Sequence, residues 1–198
     1  MLGANAHVFA SANMQYPAAL HDQKRSGPVV RFARNKLCAL VKPGLAVGGE
    51  NLLDRLLDPN IKVAISTPKA DPSGDYAIDV FRKAGLISPG AQAALEEKAL
   101  RLVGSASSAK PPAGHTAYGW HVAEGRADIF LTYCTNAVAA QKENPGQQIV
   151  TLPATLAVGA DYGLTVISGA PPAAQRLASC HCSALRLVES SPHSSRRR

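Results

Sequence analysis

The sequence predicts an α/β fold with a largely parallel sheet. Short apolar runs alternate along the chain with helix-like segments, and the connections between them are short. Most of the apolar runs are continuous rather than alternating, as in strands that are covered on both faces. The 198 residues, 46% hydrophobic and 18% charged, suffice for one or two compact domains and exclude a charge-rich disordered chain.

Six segments are predicted to be strands because each is a short apolar run bounded by turn-forming residues. The stretch over residues 149–174 carries a single charge, Asp161, but Pro153, Gly159 and Gly163 interrupt it. Two buried strands are therefore predicted there rather than a membrane span. The predicted strands are residues 7–10, 37–41, 62–66, 129–133, 149–152 and 164–168.

Four helices are predicted from the residues at their ends. Ser88 precedes the second helix as its N-cap, Pro89 takes its first position, and Gly104 follows its end. Gly85 and Gly125 follow the first and the third helix as C-caps. The predicted helices are residues 75–84, 89–103, 116–124 and 135–142.

The chain is basic, with 21 Lys and Arg against 14 Asp and Glu and a formal charge of +7. Residues 179–198 hold six serines and four of the arginines, and they are expected to be a disordered basic tail or the product of a frameshifted reading frame. In the body the cations are scattered, and aromatic residues make up only 5% of the chain, so no nucleic-acid partner is expected. Residues 1–12 lack the basic and apolar regions of a secretory signal.

The cysteines give little evidence of a site. Cys38 and Cys134 lie in apolar, strand-like segments and are expected to be small buried side chains. Cys180-His181-Cys182 lacks a second ligand pair at a suitable spacing, so no metal site is expected there. No disulfide framework can be argued from these four cysteines.

Three predicted junctions have the same arrangement, in which an apolar strand is followed by a short turn of small polar residues and then by the start of a helix. They lie at residues 8–13, 68–75 and 130–136. The first N–H groups of each helix lack partners within the helix and carry partial positive charge, so a small anion is favoured there. Side-chain donors could come from four residues: Ser11, Tyr133, Thr135 and Asn136. The alternative is that each of these residues only caps a helix.

Motifs of catalysis are absent from the sequence, so the chain is expected to be neither an enzyme nor a cofactor-binding protein. It contains no G-x-S-x-G, G-x-x-x-x-G-K-[ST] or H-E-x-x-H pattern. Ser11, His115 and Asp128 are the three residue types of a Ser-His-Asp catalytic triad. Any globular chain contains such a set of three residues, so they do not indicate catalysis. His121 falls within a predicted helix and is expected to be a surface or packing residue.

Four segments resemble those of one family, the periplasmic molybdate-binding proteins, which are the substrate-binding components of ABC transporters. Residues 8–14 (VFASANM) resemble its "ADVFASAN" segment, and residues 32–37 (FARNKL) resemble its crossing strand. Residues 62–77 resemble "VAIgdP…vPaGrYA", and residues 127–137 resemble "ADiGivY-TDA". The match runs from about residue 3 to 178 in order and spacing.

This resemblance implies a two-lobed, type II periplasmic-binding-protein fold around a small tetrahedral oxyanion, molybdate or tungstate. Lobe one would comprise residues 1–40 and 153–178, and lobe two residues 41–152. Neutral donors would hold the anion, with Asn136 in place of the family's usual Asp. The donors carried over are the Ser11 hydroxyl and N–H, the Ser73 N–H, the Tyr133 phenol and the N–H at His115.

The resemblance also implies a monomer in the periplasm with a membrane permease as its partner. Two departures from the family stand out: the strand and serine- or threonine-bearing loop ahead of "ADVFASAN" are missing, and the tail replaces the last helices. Lobe one is therefore expected to be incomplete, with weak or absent binding. A ligand-sensing effector domain and a truncated, non-functional remnant are the alternatives.

Overall fold

A computed structural model of the protein describes residues 6–176. The chain divides into two compact units: unit 1 comprises Met1–Arg34 and Asp161–Arg198, and unit 2 comprises Asn35–Ala160. The chain passes from one unit to the other twice. Residues 179–198, including the Cys180-His181-Cys182 segment, lie outside the described residues.

Unit 1 is built on an antiparallel strand pair. β1 (Val8–Ser11) pairs with β7 (Gly159–Val166), and Ser11 stands opposite Gly163. The helix α1 (Gln15–Asp22) follows β1 after a short turn. A Cβ on Gly163 would lie 2.7 Å from Cγ of Pro17, so glycine is what lets α1 approach β7 this closely.

Unit 2 contains a mixed sheet with the strand order β6-β2-β5-β3-β4. β3 is parallel to both β4 and β5, whereas β2 is antiparallel to β5 and β6. The prediction of a largely parallel sheet is therefore wrong for half of these pairings, because a continuous apolar run reports burial on both faces but not strand direction. The strands are β2 (Val30–Val41), β3 (Val63–Ser66), β4 (Leu100–Val103), β5 (Ile129–Tyr133) and β6 (Gln148–Thr151).

Five helices of unit 2 surround this sheet, and every residue of β3 and β5 is buried beneath them. The core includes Leu40, Ala64 and Phe130 with apolar residues of the helices that follow β4 and β5. The helices are α2 (Leu52–Leu57), α3 (Pro72–Ile87), α4 (Ala91–Lys98), α5 (Ala117–Ala123) and α6 (Cys134–Glu143).

Two predicted helices differ from those in the structure. The helix predicted over residues 89–103 is α4 followed by β4, because Leu100 and the residues after it pair with β3. The helix predicted over residues 75–84 begins earlier, at Pro72, and continues through Gly85 to Ile87. Gly85 does not end the helix but admits a close neighbour, since a Cβ there would lie 3.0 Å from Cβ of Gln92.

A disulfide joins Cys38 to Cys134, which corrects the expectation of two separate small buried side chains. Cys38 lies on β2 opposite Thr132 of β5, and Cys134 begins the helix that follows β5, so the ladder brings the two together. Their separation of 96 residues hides this pairing from the sequence. Among residues 6–176, no helix is both long and apolar enough to cross a bilayer.

Candidate functional site

The junction after β1 in unit 1 holds Ser11. Its hydroxyl donates to Oδ1 of Asn13 at 3.4 Å and accepts from the Asn13 N–H at 3.4 Å. Oδ1 of Asn13 in turn accepts from the N–H of Tyr16, in the first turn of α1, at 3.2 Å. The predicted strand, turn and helix are present here, and Ser11 takes part in the hydrogen bonding of that turn.

The junction after β3 in unit 2 is set by an N-cap and a proline. Asp71 is the N-cap of α3, and its Oδ1 accepts from the Ser73 N–H at 2.9 Å. Pro72 takes the first helical position, where its missing N–H costs nothing. Lys69 adopts φ 65° before the helix and donates its N–H to Oδ1 of Asp75 at 2.7 Å. The Ser73 N–H, carried over as an anion donor, thus has an acceptor within the chain.

The start of α3 lies directly against the end of β3. A Cβ on Gly74 would lie 2.4 Å from the Ser66 carbonyl oxygen, so only glycine allows this approach. Among residues 6–176, three buried hydroxyls at this place have no hydrogen-bond partner, and the Ser66 and Ser73 side chains are fully buried. A buried polar group left without a partner costs about 1–3 kcal/mol. The three hydroxyls belong to Ser66, Thr67 and Ser73.

Tyr118 of α5 adds a phenol to this polar cluster. Burial and the Asp71 carboxylate raise the pKa of Tyr118, so the phenol stays protonated as a donor near neutral pH. The neighbouring Ser66 and Thr132 hydroxyls act in the opposite direction and lower the pKa of this phenol. Thr132 of β5 is fully buried, and its Oγ1 accepts from Nδ2 of Asn136 at 3.2 Å.

Tyr133 lies at the end of β5 and is also the N-cap of α6. Its ring is buried and packs edge-on against Tyr76, with the centroids 6.2 Å apart. Tyr76 is three residues beyond Ser73 on the same helix. The structure therefore brings Tyr133 and the helix of Ser73 together within unit 2.

His115 lies in the loop before α5, and its N–H donates to the Pro112 carbonyl at 3.2 Å. Nδ1 of its ring is 3.8 Å from Oε2 of Glu143. The same carboxylate oxygen accepts from the Thr116 N–H at 2.8 Å at the start of α5. The N–H that the resemblance assigns to the anion is thus used inside this loop.

Four residues of the polar cluster were not singled out from the sequence. Asp71-Pro72 is an N-cap followed by a first-turn proline, and that signal places the helix start three residues before the predicted one. The Ser66-Thr67 pair ends a continuous apolar run, where strands of an α/β sheet present polar groups. No sequence pattern indicates the part played by Tyr118. The four residues are Ser66, Asp71, Tyr118 and Thr132.

Solved structures that resemble this chain include those of a periplasmic molybdate-binding protein and a sulfate-binding protein. The Azotobacter vinelandii periplasmic molybdate-binding protein superposes with a TM-score of 0.60 at 21% identity, covering 93% of this chain and 73% of its own. The sulfate-binding protein SubI of Mycobacterium tuberculosis gives a TM-score of 0.63 at 18% identity, covering 96% of this chain and 65% of its own. These likenesses show that the expected fold, the α/β fold of periplasmic binding proteins, is correct.

Sequence comparison identifies the family. An uncharacterized protein of Pasteurella multocida strain Pm70 is 31% identical over 189 residues, which cover 95% of this chain and 73% of the relative. The family model of the bacterial extracellular solute-binding proteins matches residues 2–180, nearly the whole chain. That family is broader than the molybdate-binding group to which the sequence segments are similar. The chain belongs to the bacterial extracellular solute-binding protein family.

Proposed function

We propose that this solute-binding protein binds a small tetrahedral oxyanion, with molybdate and tungstate as the first candidates. The observation that carries the proposal is a group of buried hydroxyls where α3 begins against β3, for which the described part of the chain supplies no hydrogen-bond partner. The positive end of the α3 dipole favours negative charge at the same place. A molybdate-binding and a sulfate-binding protein among the similar structures support an oxyanion as the ligand class.

Neutral donors suit a fully ionised oxyanion because every oxygen of the anion can accept a hydrogen bond. A fixed set of buried donors also selects by size and shape, since each donor that a wrong ligand leaves unpaired costs about 1–3 kcal/mol. In unit 2 the proposed donors are the Ser66 and Ser73 hydroxyls and the Tyr133 phenol. Ser11 and the His115 N–H remain predicted donors.

The proposed physiological setting follows from the family and from the resemblance in sequence. An extracellular solute-binding protein of this kind would act in the periplasm and deliver its anion to the membrane permease of an ABC importer. The Cys38–Cys134 disulfide favours an oxidising compartment, where such bonds persist. Binding and release without chemistry on the anion is the proposed role.

Thermal unfolding with four oxyanions tests this proposal. Molybdate, tungstate, sulfate and phosphate are compared with chloride at equal ionic strength, and calorimetry then gives the dissociation constants. An anion whose free concentration is 100 times its dissociation constant stabilises the folded chain by about 2.7 kcal/mol, so the melting temperature of the protein rises. Absence of a rise with all four anions would contradict the proposal.

Single hydroxyl deletions locate the binding residues. Ser66→Ala is expected to weaken binding about tenfold, since it removes a donor worth about 1–3 kcal/mol in a buried site. Ser107→Ala is the matched control, because Ser107 is exposed in the loop after β4. Equal effects of the two variants would place the site elsewhere. The same measurement on Ser11→Ala and Tyr133→Phe tests the carried-over donors.

A further inference from the structure

We infer that the Cys38–Cys134 disulfide positions the Tyr133 phenol for the anion, so that the oxidised chain binds its ligand more tightly than the reduced chain. The inference rests on the proposed function, because it concerns how one of the proposed donors is held. It arises from the place of the bond in the fold. Cys134 directly follows Tyr133 along the chain and is the first residue of α6.

Tyr133 stands where the chain changes from a strand to a helix. It is the last residue of β5 and the N-cap of α6, and its backbone has φ −58° and ψ 139° immediately before the helix begins. The direction of its side chain therefore depends on both elements and on the turn that joins them. A small change in that turn moves the hydroxyl, because the hydroxyl lies at the far end of a long rigid side chain.

Both sides of this turn are attached to the same neighbouring strand, β2. On the strand side, Tyr133 is paired with Leu37 in the antiparallel ladder between β5 and β2. On the helix side, Sγ of Cys134 is bonded to Sγ of Cys38, the next residue of β2, which is buried. Two adjacent residues of β2 thus hold Tyr133 and the residue that follows it.

A hydrogen bond adds a second and weaker connection between β2 and the first turn of α6. Nδ2 of Asn35 donates to Oγ1 of Thr135 at 2.9 Å, and this pair is exposed to solvent. An exposed hydrogen bond exchanges readily with water, so it does not fix the turn as a covalent bond does. Without the disulfide, α6 is expected to stay folded through Ala137 and Ala140 in the core, while its first turn gains freedom relative to β2.

The consequence for binding is a loss of preorganisation. A donor that is already fixed in its binding position loses little conformational entropy when the anion arrives, whereas a mobile donor loses more. Reduction is a thiol–disulfide exchange, in which a dithiol gives two electrons and two protons, the bond becomes two thiols and the dithiol becomes a cyclic disulfide. Cys134 is only half-buried, so we expect the reductant to reach the bond from its side.

A double-mutant cycle on anion affinity tests the inference. Calorimetry with molybdate, tungstate, sulfate and phosphate compares the wild-type chain with Cys38→Ala/Cys134→Ala, with Tyr133→Phe and with the triple variant. The cysteine variant is expected to bind about tenfold more weakly, the scale of losing one well-placed neutral donor, and the wild-type chain reduced by dithiothreitol should match it. In the Tyr133→Phe background the cysteine substitutions should change affinity by less than about twofold, because the hydroxyl that the bond positions is gone.

Two further variants separate positioning from a general loss of stability. Leu56→Ala removes a fully buried side chain from α2, which packs against α4, and destabilises the chain as core truncations do. It is expected to keep the wild-type affinity. Cys38→Val/Cys134→Ala fills more of the buried volume and is a second route to a folded chain without the bond. Circular dichroism at the temperature of the calorimetry checks that each variant is folded.

The outcomes distinguish this inference from the proposed function. If the wild-type chain binds an oxyanion and the folded cysteine variants bind it equally well, the inference is wrong and the proposed function stands. An equal loss in the Tyr133→Phe background, or in Leu56→Ala, also overturns the inference, because the bond then acts through another residue or through stability alone. If the oxidised wild-type chain binds none of the four anions, both are wrong.

Discussion

At the scale of single residues, two sets of buried polar groups that lack a partner within residues 6–176 differ in their surroundings. The Ser66 and Ser73 hydroxyls lie at a strand end and a helix start, where a small anion is favoured. His121 is equally buried, but its ring lies among aromatic rings, with the Trp120 centroid at 4.8 Å and that of Phe130 at 6.4 Å. We therefore keep the two serines as the proposed ligand donors and interpret His121 as a packing residue.

His121 is expected to make stability fall in mild acid. Burial and then the nearby Arg126 lower the pKa of His121 in the folded chain below its ordinary value. The unfolded chain therefore takes up the proton first, and stability is lost as the pH falls from above about 6.5 toward the folded pKa, with a slope of at most about 1.4 kcal/mol per pH unit. Urea unfolding at several pH values measures this slope.

The variant His121→Leu is expected to flatten that pH dependence, because it removes the titrating ring and keeps an apolar side chain of similar size. His7→Gln serves as the control, since His7 is exposed. It should keep the wild-type slope. An unchanged slope in His121→Leu would show that other groups cause the acid sensitivity.

The candidate site could be predicted from the sequence only in part. The resemblance points to Ser73 and Tyr133. In the structure, Tyr76 lies on the same helix as Ser73 and packs against Tyr133, so this helix is in contact with Tyr133. The resemblance does not indicate that Asp71 takes the Ser73 N–H, because a hydrogen bond depends on side-chain direction and not only on residue type. Tyr118 reaches the cluster through the packing of α5, which no local pattern encodes.

At the scale of elements, local sequence signals predict where most strands and helices lie. Whether a segment such as β4 is extended, and in which direction a strand runs, depends on the strands with which it pairs. The strand over residues 129–133 is predicted with the bounds that β5 has, because its five residues are all apolar or β-favouring and all buried. β4 is missed because Leu100–Val103 continues the apolar pattern of α4, and only pairing with β3 makes it extended. Strand direction and the disulfide depend equally on distant partners.

The Cys38–Cys134 disulfide is expected to contribute much of the stability of unit 2. It closes a loop over a separation of 96 residues, and loss of a native disulfide costs about 2–5 kcal/mol. Urea unfolding of the oxidised chain with and without dithiothreitol should therefore show a lower midpoint under reduction. The double variant Cys38→Ala/Cys134→Ala should show that lower midpoint even without dithiothreitol.

This double variant also controls for the remaining cysteines. It keeps Cys180 and Cys182, so dithiothreitol should leave its midpoint unchanged if Cys38–Cys134 is the bond that matters. An equal effect of dithiothreitol on both chains would assign the stabilisation to another thiol. Equal midpoints of the oxidised wild-type chain and the double variant would show that the bond adds little.

At the scale of the whole molecule, the buried core is unequally shared. Within residues 6–176, nearly every buried apolar side chain belongs to unit 2, whereas unit 1 contributes Pro17 and Ala170. Unit 1 is held instead by ladder hydrogen bonds and by polar contacts such as that of the Thr165 hydroxyl with the Gly27 carbonyl at 2.7 Å. Because burial of apolar surface is the main stabilising term, unit 2 should be the more stable of the two.

Hydrogen exchange followed by mass spectrometry tests this difference with two strands of equal length. β1 and β3 each have four residues and each pairs in a ladder, but only β3 is buried throughout. Amides of β1 are expected to exchange through low-energy local opening, whereas those of β3 should need nearly global unfolding. If the amides of β1 are as protected as those of β3, the chain unfolds as one cooperative unit. That result would contradict the prediction that unit 2 is more stable than unit 1.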